Sequence, residues 1–160
     1  IGACNGDAFG GGCEILSACD LRITADYARF CFAQVRQALT TGWGGTGRVV
    51  RLLGLSRALD LLLTARVFGA EEALALGWVH EVVPGDGLAT AVSQLAQQLV
   101  NLPREALAAT KQLAYAATDL TLDESNQLET QLFTQLWPRP DHLEATAAFL
   151  EKRPPRFNQD

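Results

Sequence analysis

Three consecutive glycines, Gly10, Gly11 and Gly12, lead directly into an apolar segment that carries a single acid, Glu14. Glycine allows backbone conformations with positive φ and lets N–H groups approach a ligand closely. The helix that follows adds partial positive charge at its start. The pattern therefore predicts a tight turn before a short buried helix, and it is typical of a site that receives negative charge.

The composition narrows the classes of protein to which the chain can belong. Its 160 residues carry a net charge of −5, and 48% of them are apolar, which suits one domain with a substantial core. The scattered Lys and Arg residues argue against binding to nucleic acid or to an anionic membrane surface. No apolar run approaches the ~20 residues of a membrane span, and no basic leader with a cleavage site opens the chain. We therefore expect a cytoplasmic protein.

The four cysteines, Cys4, Cys13, Cys19 and Cys31, all lie in the first fifth of the chain. Their spacing matches neither paired zinc ligands nor a small disulfide scaffold. We interpret them as buried thiols, and the sequence predicts no metal site.

The chain changes character after Pro84. Residues 1–84 mix short apolar runs with glycine, which predicts short strands and helices of an α/β fold, with extended structure again at residues 78–83. Residues 85–160 have predominantly helical patterns. Ser56 is a candidate cap for one helix, and residues 121–124 have the form of a capping box for another.

A second glycine-rich segment, Gly42-x-Gly44-x-x-Gly47, satisfies the letters of a dinucleotide-binding fingerprint. That fingerprint requires a strand immediately before it and an acid about 20 residues further on, at the end of a second strand. Both are missing from the pattern here. We therefore expect a tight turn with close helix packing.

The order of these motifs along the chain resembles the crotonase superfamily, which includes enoyl-CoA hydratases and isomerases. The resemblance rests on Asn5-Gly6 and on residues 10–14, 18–23, 42–48 and 148–154. It implies an α/β crotonase-like spiral of ββα units that is incomplete at the N-terminus and is followed by a C-terminal helical trimerisation region. Residues 1–84 would belong to the α/β core and residues 85–160 to the helical region.

The resemblance also implies roles for individual residues. Gly11 matches one of two backbone N–H donors that stabilise a thioester enolate, the second being expected on an earlier strand outside this chain. Glu14 matches an acid that handles water or a proton, although it could simply complement the start of its helix. Phe149 and Lys152 match positions that contact coenzyme A, or else belong to a solvated surface run. The implied substrate is an acyl-CoA thioester, with no permanently bound cofactor, in a homotrimer or a dimer of trimers.

Gln34 departs from the family pattern, because it occupies the position of a second glutamate. An amide cannot exchange a proton at neutral pH, so the usual two-acid hydration is not implied. Residues 30–45, with Trp43 beside the glycines, are similar to the ethylmalonyl-CoA decarboxylase branch. Decarboxylation of a malonyl-type thioester, such as ethylmalonyl-CoA or methylmalonyl-CoA, is therefore an alternative to hydratase/isomerase chemistry. A noncatalytic fragment or binding subunit is the third.

Overall fold

The computed structural model describes residues 1–158, so Gln159 and Asp160, at the end of the expected helical region, lie outside the described residues. Short strands and helices alternate in the first half, and longer helices follow. The strands are β1 (Gly2–Cys4), β2 (Ala8–Phe9), β3 (Arg22–Ala25), β4 (Arg29–Cys31), β5 (Phe68–Gly69) and β6 (Glu81–Val83). The helices are α1 (Gly11–Ala18), α2 (Gly45–Leu53), α3 (Leu55–Thr64), α4 (Ala70–Ala75), α5 (Leu88–Val100), α6 (Arg104–Ala116), α7 (Leu122–Leu136) and α8 (Pro140–Glu151).

These strands form two small sheets. In the first, β1, β3 and β6 are parallel, and Ile23 pairs with Ala3 on one side and Glu81 on the other. In the second, β2 is parallel to β4, which pairs antiparallel with β5. Because β2 and β4 run in the same direction, the segments that follow them, the glycine run and the segment containing Gln34, start at the same edge of the sheet.

An aromatic cluster forms the centre of the core below this edge. Phe30, Phe32, Phe68 and Trp78 are all buried, and the rings of Phe30 and Trp78 meet edge to face with centroids 4.7 Å apart. The indole N–H of Trp78 donates to the hydroxyl of Ser17 at 3.4 Å. This contact attaches the buried face of α1 to the core.

Arg22 contacts the C-terminal end of α1, where Ser17 also lies. Its side chain is buried, and its guanidinium donates to the carbonyl oxygens of Trp78, Cys19 and Leu16. A cation at a helix C-terminus satisfies carbonyls that have no partner within the helix. These contacts attach the C-terminal end of the helix to the core.

Two local predictions are wrong. Ser56 does not cap α3, because the helix starts one residue earlier: Gly54, at φ +77°, precedes it, and its carbonyl accepts from the Ala58 N–H at 3.1 Å. Extended structure at residues 78–83 is limited to Glu81–Val83. Trp78 instead lies in a turn, because burial of its indole in the aromatic cluster outweighs its preference for a strand.

Two compact units make up the chain, Ile1–Ala96 and Gln97–Asp160. The division after Pro84 stays a prediction about folding units. In the second unit the capping box is confirmed: the Glu124 N–H donates to the Thr121 hydroxyl at 3.3 Å, and the Thr121 N–H donates to the Glu124 carboxylate at 2.9 Å.

Candidate active site

The glycine run forms the turn into α1, as the sequence predicts. Gly10 has φ +53° and ψ −115°, a backbone conformation that residues with a Cβ rarely adopt. Its N–H donates to the carbonyl of Cys31 at 2.8 Å. Gly11 is the first residue of the helix. The first N–H groups of a helix have no partner within it, so the Gly11 N–H is available to an incoming acceptor at the positive end of α1.

Glu14 lies one turn along the same helix, and its side chain is only 3% exposed. Its carboxylate accepts four hydrogen bonds. Oε1 receives the Gln34 amide N–H at 2.8 Å and the Gly42 N–H at 3.3 Å. Oε2 receives the Trp43 N–H at 2.8 Å and the Gly45 N–H at 3.1 Å. Donors therefore occupy about four acceptor directions, which is the full capacity of a carboxylate.

This environment keeps Glu14 ionised. Burial by itself raises the pKa of the carboxyl group, but the hydrogen bonds from the Trp43 backbone, the Gln34 side chain, and the Gly42 and Gly45 backbone outweigh it and hold the pKa below the usual value of 4.5. At neutral pH the group is a carboxylate that can accept a proton.

The second glycine-rich segment, residues 42–47, packs closely against the Glu14 carboxylate to which it donates. Gly44, at φ +77°, precedes α2, and a Cβ on Gly45 would lie 2.6 Å from Cγ of Glu14. The glycines are thus required by the close approach of the turn to Glu14. The prediction of a tight turn with close helix packing is confirmed.

Gln34 lies beside Glu14, in a 3₁₀ helix over Ala33–Gln37. Its amide nitrogen is used by the carboxylate, while its buried amide oxygen has no hydrogen-bond partner within residues 1–158. A buried carbonyl oxygen without a partner is unfavourable by about 1 to 3 kcal/mol, so a ligand group that donates to it would be favoured.

Trp43 lies beside Gly11 and Glu14, where the sequence patterns did not place it. Its indole lies against Gly11, since a Cβ on that glycine would be 2.5 Å from Cζ3 of the ring. The only sequence signal is a large aromatic residue between two glycines of a turn. Nothing in that spacing indicates which distant residue the ring contacts.

Phe149 and Lys152 lie together in the second unit, at the end of α8. Phe149 is 82% exposed, and Lys152 follows the helix in the left-handed conformation at φ 55°. The Lys152 N–H donates to the carbonyl of Phe149 at 3.3 Å. Both side chains are exposed, so both can reach a ligand from solvent, whereas Gly11, Glu14 and Gln34 lie together in the first unit.

Within residues 1–158, no cluster of three or more His, Cys, Asp and Glu side chains is arranged to hold a metal ion. Over the same residues, no helix combines the length and apolarity that a membrane crossing requires.

Comparison with known proteins identifies similar sequences and structures. The sequence model of the family described as enoyl-CoA hydratase/isomerase matches residues 1–160. The chain is 37% identical over 153 residues to the short-chain-enoyl-CoA hydratase of Clostridium acetobutylicum, covering 96% of this chain and 59% of the relative. It is 37% identical over 157 residues to the crotonyl-CoA hydratase of Syntrophomonas wolfei, covering 98% and 60%.

A crystal structure of an enoyl-CoA hydratase from Bacillus anthracis superposes with a TM-score of 0.93 at 34% identity, covering 97% of this chain and 60% of that one. The chain thus spans about 60% of the length of the curated relatives it matches.

Proposed function

Because the chain belongs to the enoyl-CoA hydratase/isomerase family, we propose that the natural protein acts on acyl-CoA thioesters and that Gly11, Glu14 and Gln34 form part of its catalytic site. The observation that carries this proposal is the buried, ionised carboxylate of Glu14 one turn from the N-terminal end of α1. A base and a donor to negative charge are then one helical turn apart.

Gly11 would receive the carbonyl oxygen of the thioester. When charge moves onto that oxygen, an N–H donor that is already oriented is commonly worth ~3 to 4 kcal/mol. The helix N-terminus adds favourable partial charge at the same place. By the family resemblance, a second donor belongs to an earlier strand.

Glu14 would act on water. Its acceptor directions are all occupied, so a water molecule has to replace one donor, and the longest of the four hydrogen bonds is that from Gly42 at 3.3 Å. The water would then donate one hydrogen to Glu14 and the other to the unpartnered amide oxygen of Gln34.

Hydration of a 2-enoyl thioester would follow with one acid. The water oxygen bonds to Cβ as its proton passes to Glu14, and the electron pair of the double bond moves towards the carbonyl oxygen at Gly11. Glu14 then returns the proton to Cα as the carbonyl re-forms. Gln34 orients the water and the carboxylate and exchanges no proton, which accommodates its departure from the family pattern. The same carboxylate could instead catalyse isomerisation, in which it moves a proton from one carbon atom of the acyl chain to another.

The decarboxylase alternative has less support. It rested on Gln34 and on the segment containing Trp43, and the comparisons give it none. An ionised Glu14 would also repel the carboxylate of a malonyl-type substrate in a buried site. If the natural protein binds thioesters without turning them over, it is a noncatalytic binding subunit.

The test is an assay of the full natural protein with crotonyl-CoA and ethylmalonyl-CoA. We expect water addition to crotonyl-CoA, reduced by roughly 10² to 10⁴ in Glu14→Gln, because the general base is lost. The exposed acid Glu81 provides the matched control, Glu81→Gln. Release of CO₂ without hydration or isomerisation would contradict the proposal, as would full activity in Glu14→Gln.

A further inference from the structure

The indole of Trp43 occupies space beside the proposed thioester site. A Cβ on Gly11 would lie 2.5 Å from Cζ3 and 2.9 Å from Cη2, so the six-membered ring lies against the Gly11 backbone. The side chain is nevertheless 63% exposed. A large ring with one side on Gly11 and most of its surface open will contact a molecule that binds there.

The backbone of Trp43 is held on both sides. Its N–H donates to Oε2 of Glu14 at 2.8 Å, and its carbonyl accepts from the Arg48 guanidinium at 2.6 Å. Gly44 follows it at φ +77°. These contacts hold the Cα of Trp43 close to the Glu14 carboxylate, and from there its ring lies against Gly11.

We infer that Trp43 determines acyl specificity by excluding substituents from the α-carbon of the substrate. The inference rests on the proposed function, in which the carbonyl oxygen lies at Gly11 and Cβ approaches Glu14. The α-carbon then lies between these two residues, next to the indole. The site takes 2-enoyl thioesters that are unbranched at Cα, because the ring occupies the space that a branch there would need.

The expected discrimination is measurable. One methyl group in a closely fitting pocket changes selectivity by roughly 10- to 200-fold. The natural protein should therefore prefer crotonyl-CoA to its 2-methyl analogue tigloyl-CoA by at least about tenfold in kcat/KM. Trp43→Ala should reduce this preference by about tenfold or more, and Trp43→Phe, with a smaller ring, should reduce it less.

Tyr27→Ala is the matched control. Tyr27 is an aromatic residue of the same unit that is 60% exposed, and it packs on Gly85. Its removal should leave the ratio unchanged. An unchanged ratio in folded Trp43→Ala overturns the inference. If that variant does not fold, an unchanged ratio in Trp43→Phe does so.

A binding measurement separates this inference from the proposed function. The dissociation constants of butyryl-CoA and 2-methylbutyryl-CoA, measured by calorimetry, need no turnover, and their ratio should also fall in Trp43→Ala. If the natural protein turns over neither enoyl substrate while this ratio falls, the proposed function fails and the role of Trp43 stands. If Glu14-dependent turnover is present and both ratios are insensitive to Trp43, the role of Trp43 fails alone.

Discussion

At the scale of single residues, Glu14 joins a structural task to a chemical one. Its carboxylate connects α1 to the turn before α2 and to Gln34 through four hydrogen bonds. The same bonds keep it ionised in a buried place, which is the state a general base requires. A substitution at this residue will therefore change stability as well as activity, and the two effects must be measured separately.

The stability effect should depend on pH. Glu14→Gln places an amide NH₂ among N–H donors and leaves buried groups unpaired, which should lower the free energy of unfolding by about 1 to 3 kcal/mol at pH 7. The pKa of Glu14 is lower in the folded state than its usual 4.5. Its stabilising contribution is therefore complete above that value and is lost as the pH falls through the folded-state pKa.

Urea unfolding of the natural protein and Glu14→Gln between pH 3 and pH 7 measures this contribution. The difference between the two proteins should shrink on acidification, because the other titrating groups are common to both and cancel. A difference that stays constant across this range would show that ionisation of Glu14 does not stabilise the fold.

At the scale of elements, the site is a contact between two helix starts. Both α1 and α2 are preceded by a glycine with positive φ, Gly10 and Gly44. Gly11 and Gly45, the first residues of the two helices, each face a side chain from the other segment, Trp43 and Glu14 respectively. The absence of a Cβ at these positions lets the two turns approach within contact distance.

A double-mutant cycle tests this complementarity. Gly11→Ala alone should destabilise the fold by about 1 to 3 kcal/mol, because its Cβ would lie 2.5 Å from the Trp43 ring. In the Trp43→Ala background the same change should be neutral or stabilising by up to about 1 kcal/mol, since alanine is favoured over glycine in a helix. Gly12→Ala, whose Cβ would have its nearest contact at an ordinary 3.4 Å, is the control.

Thermal or urea unfolding of the four proteins gives the coupling free energy. Additive effects of Gly11→Ala and Trp43→Ala would mean that the ring does not restrict residue 11. The ring would then leave room beside Gly11, and the proposed role of Trp43 in acyl specificity would fail as well.

At the scale of the whole molecule, the structural neighbours confirm the expected crotonase fold, with α/β elements first and helices after them. The residues expected to serve the reaction and those expected to bind coenzyme A lie in different compact units. We therefore propose that binding of the cofactor portion of the substrate can be weakened without loss of the chemical site. Trimer formation through the helical region stays a prediction, which light scattering of the full natural protein would measure.

Lys152→Gly tests the coenzyme A contact. Lys152 has φ 55°, a conformation in which glycine is favoured, so the substitution removes the ammonium group without straining the end of α8. An exposed ion pair is worth ~0.2 to 1 kcal/mol, so the affinity for coenzyme A should fall by up to about fivefold, and by less at high salt. The affinity for coenzyme A is measured by calorimetric titration of the full natural protein, of Lys152→Gly and of the control Lys111→Ala. If both variants bind like the natural protein, Lys152 does not contact coenzyme A.

Much of this fold could be predicted from patterns within short segments. The helix after the glycine run and the capping box at Thr121 each depend on neighbouring residues, and each is confirmed. The prediction at Ser56 failed because α3 already starts at Leu55, directly after Gly54. The prediction at Trp78 failed for a tertiary reason. Trp78 has strand propensity, but burial in the aromatic cluster decides its conformation.

The sequence by itself determined that a glycine turn opens a short helix bearing Glu14, because that pattern lies in adjacent residues. The order of the motifs along the chain predicted the family. Only the tertiary structure decided that Gln34 and the turn at residues 42–45 surround that carboxylate, and that Trp43 lies on Gly11. Parallel pairing of β2 with β4 brings these segments to one edge of a sheet from about 20 to 30 positions away. Local propensity carries no information about such contacts, which arise when burial of the core fixes the strands and helices in register.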